Sequence, residues 1–155
     1  MRAKPLNRLG FYALLAIAWI GSAQAKTCNV TGGGVAFGAY DPTSSASLDT
    51  TGSVALDCEG SFEVVLSLSV GNGAGASYSG GRKMTRGRGS GTLTYNLYAN
   101  AARTHVLGDG TGGSVTLHIN GHRTYIQAIW ARIPRGQHTV LAGSYADIVV
   151  ATISY

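Results

Sequence analysis

The sequence predicts an all-β sandwich of immunoglobulin-like size, with a closed barrel as the alternative, and three observations carry that reading. Apolar residues alternate with period 2 in several stretches, and no long segment beyond residue 25 repeats with period 3.6. The 155 residues include 23 glycines and 8 tyrosines but only 12% charged residues, which suits short strands joined by tight loops rather than amphipathic helices. Glycine-rich breaks divide the chain into about six to eight short extended segments, with no internal repeat and no second domain.

Residues 1–25 read as a secretory signal: basic Arg2, Lys4 and Arg8, an apolar stretch over 9–20, and the small-residue pattern Ala23-Gln24-Ala25. That stretch is shorter than the roughly 20 residues that span a bilayer, so cleavage before Lys26 is expected and no membrane insertion after it. One domain over residues 26–155 remains, long enough for a single core. Three of the twelve basic residues leave with the signal, and nine against seven acidic ones give +2. A nucleic-acid partner is therefore not expected. Cys28 and Cys58, in an exported chain, are expected to pair as a structural staple, since a redox or zinc site would need closer cysteine spacing.

In chain order, residues 53–59 place Val54, Leu56 and Cys58 on one face and Ser53, Asp57 and Glu59 on the other. Phe62, Val64, Leu66, Leu68 and Val70 then alternate with polar residues as a half-buried strand. Residues 71–91 read as a polar surface loop with a short edge strand near Met84. Residues 92–99 resume the alternation with Leu93, Tyr95 and Leu97 inward, and a loop runs to Gly113. Residues 114–119 and 122–133 flank Asn120-Gly121, which predicts a hairpin with a type I′ turn. Its second arm puts Tyr125, Ile129 and Ile133 on one face and Ile126, Ala128 and Trp130 on the other, and Pro134 and Gly136 end it. Residues 138–142 and 144–155 supply the last extended segments.

Sites of chemistry are scarce. His118 and His122 have a spacing seen in helical zinc sites, but the expected turn sets them on opposite arms with no glutamate or third ligand. Arg82, Lys83, Arg86 and Arg88 form a basic, glycine-rich cluster that reads as a solvated loop, with adhesion to anionic surfaces as a secondary role. Asp109 is a lone carboxylate among glycines and cannot fill a calcium shell. No nucleophile elbow or paired carboxylates suggest an enzyme, and nothing calls for a cofactor.

Several segments together resemble the spore coat protein U family, whose members include subunits of archaic chaperone-usher pili. They are Cys28, VAFGAYDP (35–42), GSVALDC (52–58), RKM (82–84), LTYNLY (93–98), Ile133-Pro134 and AGSYAD (142–147) with the closing strand after it. Each motif is weak alone, but their order covers nearly all of residues 26–155. The resemblance implies an incomplete immunoglobulin-like sandwich, exported to the periplasm and lacking its final strand. A periplasmic chaperone lends that strand, and an outer-membrane usher then exchanges it for the N-terminal extension of another pilus or coat subunit. In this chain the strand-acceptor groove would be bordered by Asp147, Ile148, Val149, Val150, Ala151, Thr152, Ile153 and Tyr155.

Two functions are expected from different classes. The first is a structural subunit of a surface fimbria or coat, assembled by strand complementation, with a role in adhesion or biofilm formation. Only Lys26 and Thr27 separate the expected cleavage point from Cys28, whereas a donor strand needs about ten residues, so an acceptor-only or tip-like place is expected. The second is a self-sufficient binding module for glycans, using Tyr78, Tyr98, Tyr125 or Trp130 as contacts.

Overall fold

The computed structural model describes residues 27–155, so the expected signal peptide and cleavage point lie outside the described residues. Among these residues there are nine strands and no helix: β1 (Cys28–Gly34), β2 (Leu48–Cys58), β3 (Ser61–Leu68), β4 (Arg82–Arg86), β5 (Thr92–Tyr98), β6 (Leu117–His122), β7 (Tyr125–Ile133), β8 (Tyr145–Ala146) and β9 (Ala151–Ser154). They form a six-stranded sheet in the order β1-β2-β7-β5-β4-β8 and a three-stranded sheet in the order β6-β3-β9. Every named strand pair is antiparallel. The fold is a sandwich, with its core between the two sheets.

The alternation read from the sequence builds that core. Val54, Leu56 and Cys58 of β2, Phe62, Val64, Leu66 and Leu68 of β3, and Leu93, Tyr95 and Leu97 of β5 are all buried. In β7 the buried set is Ile129, Ala131 and Ile133, while Ile126 on the opposite face is 67% exposed. Cys28 and Cys58 face each other across β1 and β2 and form a disulfide. It closes a sequence separation of 30 residues, for which loop-closure entropy gives roughly 3–4 kcal/mol of stabilisation. The paired substitution Cys28→Ala with Cys58→Ala is expected to lose about that much, read as a fall in the urea midpoint with a somewhat steeper slope, because the unbridged unfolded chain exposes more surface.

Three local expectations differ from the structure. Asn120 and Gly121 are not a turn; they lie within β6, paired with Glu63 and Phe62. A Cβ on Gly121 would sit 2.8 Å from the Phe62 ring, so glycine serves close packing there, not positive φ. The bend comes at Arg123, with φ 57° and its N–H donated to Gly60 O. It sends the chain from one sheet into the other, so β6 and β7 are not a hairpin and His118 and His122 share one strand. β4 is the short strand expected near Met84, but it lies between β5 and the two-residue β8 rather than at the sheet edge. The closing stretch is divided: β8 pairs with β4 in the large sheet, and β9 pairs with β3 in the small one.

Candidate functional site: an open seam between the sheet edges

Among the described residues β1 ends the large sheet and β9 ends the small one, and neither has a second strand partner. Val150 O accepts the Ser69 N–H at 2.9 Å and Val150 N–H donates to Ser69 Oγ at 2.9 Å. Val150, Thr152 and Ser154 therefore turn their backbone groups toward β3. Because backbone direction alternates along an antiparallel strand, Ala151 and Ile153 turn theirs away, into the seam. Across it, Cys28 and Val30 turn theirs away from β2 in the same manner.

Between these rims lies an elongated cavity of about 720 Å³ with Val54, Leu68, Met84, Tyr95, Leu97 and Ile129 in its lining. A second furrow of about 750 Å³ continues from it past Phe37, Met84 and Tyr145 toward Tyr40, Val140 and Leu141. At its other end the seam is closed. The Tyr155 hydroxyl accepts the Cys28 N–H at 2.7 Å and donates to Cys28 O at 2.8 Å.

The eight residues expected to border a groove fall into separate places. Val149, Ala151 and Ile153 point inward against the core, and Val149 and Ala151 line the cavity together with Asp147 and Ile148. Ile148 and Val150 are 67% and 58% exposed, and Thr152 is exposed as well. Tyr155 lies outside the cavity lining, at the closed end. Asp147 belongs to no strand; it sits where the chain leaves β8 and crosses toward β9. Its Oδ1 accepts the N–H groups of Asn72 and Ile148, each at 2.8 Å, and its Oδ2 accepts the Tyr95 hydroxyl at 2.8 Å. Gly71, at φ 91°, has no Cβ to collide with that carboxylate, which is what lets Asp147 seat there.

Tyr95 meets Phe37 edge to face, with ring centroids 5.8 Å apart. Burial first, then its hydrogen bond to Asp147, pushes the Tyr95 phenol well above its ordinary value. The folded state thus holds a proton that the unfolded chain releases near pH 10, so this contribution is full below pH ~10 and is lost as pH rises above it. Tyr95→Phe is expected to cost about 1–2 kcal/mol at pH 7 and to flatten the alkaline fall in stability, measured as urea midpoints from neutral pH to about pH 11.

Arg82 overturns the reading of the basic cluster as a solvated loop. It is fully buried, stacked 5.2 Å from the Tyr78 ring centroid. Its guanidinium donates to Ser69 O at 2.9 and 3.1 Å, to Leu107 O at 2.7 Å and to Asn96 Oδ1 at 2.9 Å. Burial lowers its pKa, opposed by Tyr95, Tyr78, Asp147 and Asp109 nearby. Tyr78 is buried too, its hydroxyl donating to Leu68 O at 2.8 Å, so it offers no glycan contact. Tyr98 and Trp130 are cross-strand partners, both half-buried, and Tyr125 packs edge-on against Phe62. Among the described residues no three His, Cys, Asp or Glu side chains gather as a metal site.

A comparison with curated proteins found no match. Among solved structures, one chain superposes with a TM-score of 0.59 and 17% identity over 84% of this chain, which spans 40% of that chain's length. It comes from a CsuC-CsuE chaperone-tip adhesion subunit pre-assembly complex of archaic chaperone-usher Csu pili of Acinetobacter baumannii, and the likeness is one of fold. The model of the Spore Coat Protein U domain matches residues 13–152, nearly the whole chain. With its two-sheet sandwich and Cys28–Cys58 disulfide, the chain belongs to the Spore Coat Protein U domain family.

Proposed function

We propose that this chain is an exported, non-catalytic structural subunit of a surface fimbria or coat, and that the seam between β1 and β9 accepts an extended strand from a partner. The observation that carries the proposal is the seam itself: apolar core side chains form much of its lining, and backbone groups of β9 and β1 with no strand partner among the described residues form its rims. An apolar floor with hydrogen-bonding rims fits a β-strand better than a helix or a small molecule, because only a strand satisfies both rims while its alternate side chains fill the floor. The chaperone-subunit assembly named for the structural neighbour supports the same reading.

In this account a periplasmic chaperone supplies the strand first, an outer-membrane usher exchanges it for a segment of another subunit, and the product stands on the cell surface. Adhesion, biofilm formation and a tip-like, acceptor-only place belong to the same proposal. That last part turns on cleavage after Ala25, and N-terminal sequencing of the exported chain tests it: a start well upstream with a usable apolar extension contradicts it.

The seam is tested with a capped peptide of about nine residues alternating Val and Thr, the length of a strand that crosses a domain. At roughly 100-fold excess over Kd it is expected to raise the Tm by about 5–10 °C, and a peptide with Lys in place of Val to leave it unchanged. Equal shifts with both peptides, or none with either, contradict the proposal.

A further inference from the structure

Resting on the strand-acceptor reading, we propose that the Tyr155 hydroxyl is an end-stop that fixes how far an incoming strand pairs along β1. The seam is unequal at its two ends. Toward Phe37 and Tyr145 it opens into the second furrow. At the other end Tyr155 takes both backbone groups of Cys28, the N–H at 2.7 Å and the carbonyl at 2.8 Å.

These are the two groups with which a strand laid against β1 would make its last rung. A phenol that accepts from one and donates to the other leaves neither free, and the rung is filled from within the chain. The first position at which an occupant can pair with β1 is then Val30, the next residue turned outward. The outward turn of Val30 sets which residues of a strand pair with β1, and the closed rung sets where that pairing stops, so apolar side chains at alternate positions meet Leu68, Leu97 and Ile129. The Tyr155 ring is largely exposed, with 74% of the residue accessible, so its hydroxyl bonds, not core packing, are what hold it at Cys28.

The test is residue-resolved amide hydrogen exchange, with and without the alternating Val and Thr peptide, on the native chain and on Tyr155→Phe. In the native chain the Cys28 amide is expected to exchange slowly before the peptide is added and to stay unchanged after, while the amides of Ala151 and Ile153 slow by at least about tenfold. In Tyr155→Phe the Cys28 amide is expected to exchange rapidly in the free protein and to slow by about tenfold when the peptide extends onto it. If the peptide changes Cys28 exchange in the native chain, the strand displaces Tyr155 and the end-stop is wrong. If Cys28 stays fast in the peptide-bound variant, something other than Tyr155 sets the limit, and the inference fails likewise. If Ala151 and Ile153 are unprotected in both proteins, the strand-acceptor reading itself fails.

Discussion

Arg82→Ala is expected to lower the stability of the domain by about 3–5 kcal/mol, a large share of the roughly 5–15 kcal/mol that folded domains possess. The guanidinium fills a space that excludes water and donates four hydrogen bonds to Ser69 O, Leu107 O and Asn96 Oδ1. Those acceptors come from three separate parts of the chain: the exit of β3, the loop after β5, and β5 itself. Truncation strands them in a buried site, and each unsatisfied group costs about 1–3 kcal/mol. Arg82→Lys keeps the charge but presents one nitrogen in place of the planar fork, so it is expected to recover only part of the loss. Urea unfolding with the seam filled by the alternating peptide measures all three proteins on one footing, and a change under about 1 kcal/mol for Arg82→Ala contradicts the structural role.

Ala151→Trp is expected to abolish strand acceptance while leaving the chain folded. Ala151 lines the seam from β9, opposite Leu68 of β3 in register, and its small side chain leaves the floor open. An indole there occupies the space that an incoming side chain would fill. Affinity for the alternating peptide is expected to drop by at least about 100-fold, the size of effect seen when a central pocket of an interface is lost. Val150→Trp is the companion control: Val150 is 58% exposed and outside the cavity lining, so affinity is expected to change little. Equal losses in both variants contradict the assignment of the inward set.

Alternation made the inner faces of β2, β3 and β5 legible in the sequence, because one side of each meets the core and the other meets solvent or a loop. The disulfide was legible from two cysteines in a chain with an export signal. Asn120-Gly121 misled for a physical reason. The dipeptide marks turns through backbone freedom, yet here glycine is required by the Phe62 ring, and only the three-dimensional contact distinguishes the two uses. Arg82 misled because a charge in a glycine-rich stretch is ordinarily solvated; its acceptors lie 13 to 25 residues away, beyond any local pattern. The closing stretch was half legible. Its period of 2 marks Val149, Ala151 and Ile153 as one set, but the sheet change at Asp147 depends on Tyr95, Asn72 and Gly71, none of them neighbours in sequence.

The strand-acceptor account is tested most directly by exporting the full chain to the periplasm with and without a co-expressed chaperone of the chaperone-usher type. With the chaperone, a stable complex with the seam filled is expected; without it, the chain is expected to be degraded or aggregated, because an apolar seam with unpaired edges is left open. Abundant, protease-resistant monomer in the absence of any partner would contradict the account.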